Sequence, residues 1–304
     1  MPSRLRRQFA RVCPVLLVLV APVAAGAVPA PQAPRTDAAA SHAAAGSPDT
    51  IAQALDAMYN LDFAGAHRVL DAQLKSDPSD PLAHAARAAA YVFAEYDRLH
   101  ILDLDFFGND DALTDKQRLL PDPAVRTRIF ASTTEARRLA GLALKRNPWE
   151  RRALFAMTMA VGVETQYTGV IEKRYIRGGT LSKEGQTLAE QMVGLTPPIY
   201  DAYVTLGAIE YMVGNLNPVY RFLARMRGLR SDKTEAVTHL RLVVAKGQYY
   251  RPYAKILLSV FYLREGQLKQ SRALLEELRV QFPHNPLFPQ QIARLDAKIS
   301  AGGM

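Results

Sequence analysis

Apolar residues return at three- and four-residue steps from about residue 48 to residue 299, the period of helices that bury one face. Four windows share one template. In "LDFAGAHRVLDAQLKSDP", Ala66, Leu70 and Pro78 stand at offsets 0, 4 and 12. Ala136, Ala140, Ala143 and Pro148 stand at offsets 0, 4, 7 and 12, as do Gly185, Ala189, Met192 and Pro197, and Ser271, Leu275, Leu278 and Pro283. A small first residue lets a neighbouring helix approach, and the residues four and seven later share its face and feed the core. The proline ends the helix. Asp80-Pro81, Asn147-Pro148 and Asn285-Pro286 each pair an N-cap residue with proline at a first helical position.

Each such helix needs a partner. "YVTLGAIEY" places Tyr203, Leu206 and Gly207 at offsets 0, 3 and 4, and "KILLSVFYLREGQL" aligns Leu258, Ser259 and Tyr262 before Gly266. The pattern predicts helix pairs. First helices fall at about 49–60, 82–99, 149–165, 198–213 and 252–264, and second helices at about 63–76, 124–146, 182–194, 232–246 and 268–281. A last helix over 287–299 would cap the stack with its polar outer face.

With these residues in register, the chain resembles the tetratricopeptide repeat (TPR) family. In that family the first helix carries a large residue, a Leu-Gly pair and a Tyr. The second carries a small residue, two apolar residues and a closing Pro. The match is best from Tyr253 to Pro283, through Leu258, Tyr262, Leu268, Leu275 and Leu278. The resemblance implies an all-α, TPR-like α-solenoid of about five helix pairs plus a C-terminal capping helix. It also implies a groove that binds a protein or peptide, with groove positions at Arg152, Phe155, Met159, Asp201, Val204, Tyr211, Tyr253, Leu257 and Arg264. Insertions at about 101–123, 167–181 and 216–231 depart from the family pattern and bear on whether that groove is open.

Composition adds compartment. Residues 1–27 read as a secretory signal peptide: Arg4, Arg6, Arg7 and Arg11, then an apolar run of about 12 residues, too short to span a bilayer, then small residues. Residues 28–47 read as an Ala/Pro-rich disordered linker, and 48–300 as the helical domain. Cys13 precedes the apolar run, so it is not a lipoprotein cysteine, and the mature protein has no thiol chemistry. The expected location is periplasmic or secreted. The leader's four arginines take the net charge from +9 to +5 on removal. Between Asp49 and Asp111 twelve acids face four bases, so the rest of the chain is basic. This polarity suits oriented binding, and no nucleic-acid motif accompanies it.

Signatures of chemistry are sparse. Asp103, Asp105 and Gly108 fit the start of a calcium loop, but Phe107 and Thr114 stand where further ligands are needed, so an acidic loop is the plainer reading. The six histidines do not pair with one another at i, i+3 or i+4, so no metal is expected. No nucleophile elbow, phosphate loop or zincin motif occurs, and neither catalysis nor a cofactor is expected. Glu164 and Glu210 could form an acid/base pair, or each could pair with an arginine from an insertion, such as Arg174 or Arg221. Tyr211, Tyr249, Tyr250 and Tyr253 lie off the core offsets and are interface candidates. The 216–231 insertion is basic and apolar. Tyr220, Arg221, Phe222, Arg225 and Arg227 could fold over the groove, meet a partner helix or make weak contact with a membrane surface.

Overall fold

A computed structural model of the protein describes residues 49–103, 106 and 119–302. The expected leader and linker and most of the 101–123 insertion lie outside the described residues. Among those described, the protein is all-α and has no strand. The helices are α1 (Thr50–Tyr59), α2 (Phe63–Ser76), α3 (Pro81–Arg98), α4 (Pro123–Arg146), α5 (Arg151–Gln166), α6 (Tyr175–Val193), α7 (Tyr203–Gly214), α8 (Pro218–Met226), α9 (Lys233–Lys246), α10 (Arg251–Arg264), α11 (Leu268–Gln281) and α12 (Leu287–Gly302).

Side-chain caps start most of them. Asp49, Asp62, Asp80, Asp122, Glu150, Asn217 and Asp232 each accept a backbone N–H in the first turn of α1 to α5, α8 and α9 respectively. Asp80-Pro81 opens α3 as its sequence predicts. Asn147-Pro148 does not open α5. Asn147 instead accepts the Trp149 N–H at 3.1 Å in the turn, and Glu150 caps the helix.

Most helices pack on their chain neighbours; α3 also packs closely on α5, and α7 packs chiefly on α9, with α8 as a side element on α7. The repeated template is where these helices meet. Ala66, Leu70, Ala136, Ala140, Ala189, Met192, Ser271, Leu275 and Leu278 are all buried. A fifth copy appears in α9, where Ala236, Leu240 and Val243 at offsets 0, 4 and 7 are buried without a closing proline. Gly207 on α7 explains the small residue in its own row. A Cβ there would lie 2.9 Å from the carbonyl oxygen of Ala236 on α9, so the two backbones approach too closely for a side chain.

The insertions have three different fates. The 167–181 segment is helical, a π-turn (Tyr167–Ile171) that prolongs α5 followed by the first turns of α6. The 216–231 segment forms α8. Of the first insertion, 101–103, 106 and 119–123 are described, and Asp103 accepts from Gln291 on α12 at 2.8 Å and pairs with Arg294. Asp105, Phe107, Gly108 and Thr114 lie outside the described residues.

The two ends of the domain meet. The Tyr59 and Phe282 rings lie 5.1 Å apart, Asn285 Nδ2 donates to the Tyr59 carbonyl at 2.7 Å, and the His284 N–H donates to Asn60 Oδ1 at 3.2 Å. Tyr249 donates its hydroxyl to Asp49 at 2.6 Å. The first helix is thus held against loops some two hundred residues further along the chain.

Candidate functional site

That closure decides the fate of the groove positions expected from sequence. Phe155 is buried, with the Tyr249 and Tyr250 rings each 5.3 Å away. Met159, Val204 and Tyr211 are buried as well, Tyr211 stacked on Phe261. Asp201 is 3 % exposed, and its carboxylate accepts the backbone N–H groups of Gln248, Tyr249 and Tyr250 at 2.8, 2.8 and 2.6 Å. It therefore pins the loop that covers Phe155. Arg152 is directed to Asp80, with Nη2 2.7 Å from Oδ2. Tyr253, Leu257 and Arg264 are half-buried, Tyr253 edge-on to Phe93 and Tyr250. Five of the nine expected groove positions, Phe155, Met159, Asp201, Val204 and Tyr211, are therefore buried and present no surface of their own. Burial pushes the phenols of Tyr59, Tyr96, Tyr249 and Tyr250 well above their ordinary range and that of Tyr253 up to about 12.

The opposite occurs on α8. Val219, Phe222 and Met226, at i, i+3 and i+7, share one helical face and are 67, 61 and 69 % exposed. Met212 on α7 is exposed too. Arg225 and Arg227 are exposed alongside. What anchors the helix is narrow. Ala224 and Leu229 pack on Ile209 and Val213 of α7, and Asn217 caps the first turn through the Tyr220 N–H at 3.0 Å. Tyr220 and Arg221 are half-buried at this seam, and Arg221 Nη2 donates to the Leu216 carbonyl at 2.9 Å. Lys183 and Gln186 of α6 both donate to the Gly228 carbonyl at 2.9 Å. The stripe does not fold over the groove, one of the arrangements the sequence allowed. It faces solvent.

Glu164 and Glu210 lie in separate clusters. Glu164 is buried 3.5 Å from Arg137 of α4, which also pairs with Glu184 at 2.7 Å. Glu210 is fully buried, bonded to His239 Nδ1 at 2.7 Å and 3.9 Å from Arg230, an arginine of the 216–231 insertion. Arg174 and Arg221 are not their partners; Arg174 lies 3.8 Å from Glu172. Glu235 completes this second group, its carboxylate 3.8 Å from His239 Nε2. A search for His–His pairs passes over it. The i, i+4 pair Glu235/His239 on one helix is the signal that could have found it.

No protein-family model matches this sequence, and neither does any curated protein. Among the described residues no helix is long and apolar enough to cross a membrane.

Proposed function

We propose that the protein is an exported, tetratricopeptide-like helical-repeat scaffold that holds a protein partner in the bacterial cell envelope and performs no catalysis of its own. Five helices bury the small first residue and the apolar residue four later, and three of them, α6, α9 and α11, also bury the residue seven later, which supports the repeat reading. The observation that carries the binding reading is the outward face of α8, where Val219, Phe222 and Met226 stand in water beside Arg225 and Arg227. An exposed apolar stripe on a capped, folded helix is suited to docking against another apolar surface, and its cationic rim favours an acidic surround on the partner. The binding surface in this proposal is therefore the exposed α8 face.

A photo-crosslinker at Phe222 in the full chain, expressed in cells and read by mass spectrometry, tests this. The expected result is one reproducible protein adduct. A Phe222→Asp/Met226→Asp variant should lose association with the same protein while keeping its melting temperature. Undiminished association of that variant, or no reproducible protein adduct, would overturn the proposal.

A second reading rests on the arginines of the same helix. An amphipathic helix with exposed apolar and cationic side chains can rest on an anionic bilayer, though nine residues without Trp bind weakly. Salt-sensitive co-sedimentation with phosphatidylglycerol vesicles, lost in the same double variant, would favour it over a protein partner.

A further inference from the structure

Glu235 and His239 lie four residues apart on α9, so they share one face, and Glu210 reaches that face from α7. One ligand atom from each of the three lies within 4.8 Å of the other two. Glu210 Oε2 accepts from His239 Nδ1 at 2.7 Å. That bond orients the imidazole and leaves Nε2 with a lone pair in the neutral ring. Nε2 is 3.8 Å from Glu235 Oε1, within the roughly 3.3–4.2 Å that two ligands of one ion span when each bond is about 2.0–2.1 Å.

A second observation points the same way. Glu210 is 0 % exposed, and its Oε1 is buried with no hydrogen-bond partner. A buried carboxylate with an oxygen lacking a donor is costly, and positive charge held close to it offsets that cost. The nearby cation, Arg230, stands off. Its Nη1 is 3.9 Å from both Glu210 Oε1 and Glu235 Oε1, while its Nε bonds Glu190 at 3.2 Å. Arg230 and Glu235 are half exposed, so the outer side of the cluster meets solvent.

We propose that Glu210, Glu235 and His239 form a binding site for a zinc-class divalent transition metal: His239 Nε2 and Glu235 would ligate it, Glu210 orients the imidazole through Nδ1 and adds its negative charge behind it, and Arg230 is the competing cation that gives way when the metal enters. An imidazole nitrogen beside a carboxylate suits zinc or cobalt, with water completing the shell, whereas calcium and magnesium prefer all-oxygen shells. Two carboxylates also match the ion's charge. This site is independent of the α8 surface.

Equilibrium dialysis and calorimetry of the full mature chain, stripped with chelator and titrated with Zn²⁺ alone, test the proposal. Cobalt absorption reports the ligand set. The expected result is one equivalent bound, with at least a tenfold loss of affinity in Glu235→Gln and loss of the cobalt spectrum in His239→Ala. Arg230→Gln should bind several-fold more tightly, because its competitor is gone. If His239→Ala fails to fold, the half-exposed Glu235 and Arg230 substitutions decide the matter by their opposite signs. No binding of either metal, or binding unchanged in both Glu235→Gln and Arg230→Gln, would overturn it.

Discussion

Phe155 and Phe222 both stand on apolar stripes at helical spacing, and by sequence both are contact candidates. Phe155 ends up 5 % exposed against two tyrosine rings, while Phe222 is 61 % exposed. The cause lies in what each helix meets. α5 packs on α3, α4 and α6, and its free face is covered by the 248–250 loop that Asp201 holds in place. α8 is nine residues long and has a seam with α7 alone to sit on. An apolar stripe therefore specifies a helix face without specifying whether the protein or a partner will cover it.

The largest test of this contrast is Phe155→Ala. It should destabilise the domain by about 3–5 kcal/mol in urea unfolding, the cost of a cavity at a buried aromatic. A loss below about 1 kcal/mol would mean the face is open in solution. Asp201→Ala comes next. Three backbone N–H groups would lose a charged acceptor, and a loss of about 2–4 kcal/mol is expected, with faster proteolysis in the 248–250 loop. Wild-type stability in that variant would remove Asp201 from its pinning role.

Alkaline titration probes the same face. Burial holds the phenol of Tyr253 at about 12, against an ordinary value of 10.0, and raises its neighbours too. The folded state therefore resists ionisation that the unfolded chain undergoes. The stability from these phenols is fully present below pH 10 and is lost as the pH rises through the folded values. Phenolate absorption should appear together with loss of the helical signal, and full ionisation in a chain that is still helical would contradict the closed face. The smallest effect belongs to α8. Phe222→Ala should shift stability by no more than about 0.5 kcal/mol, and a larger loss would mean the helix packs on something not seen in the isolated chain.

Much of the fold is legible in the sequence. The 0, 4, 7 template located four of the helix pairings, and caps such as Asp80 fixed boundaries, because both signals depend on residues close in the chain. The α9 copy was harder to see without its closing proline. The candidate sites were less legible. TPR groove positions assume that successive pairs stay apart across a concave face. Here Tyr59 meets Phe282, and Tyr249 reaches Asp49. Glu210 and His239 are likewise 29 residues apart in sequence and 2.7 Å apart in space.

What the sequence by itself determined is the set of helices, the faces they bury and the small residues where they touch, since helical period, capping and size act over a few residues. What only the tertiary structure decided is which surfaces remain for function. The Tyr249 and Tyr250 rings cover Phe155, α8 keeps its apolar stripe in solvent, and helix packing brings Glu210, Glu235 and His239 together. These are contacts between distant segments, and local periodicity carries no information about them.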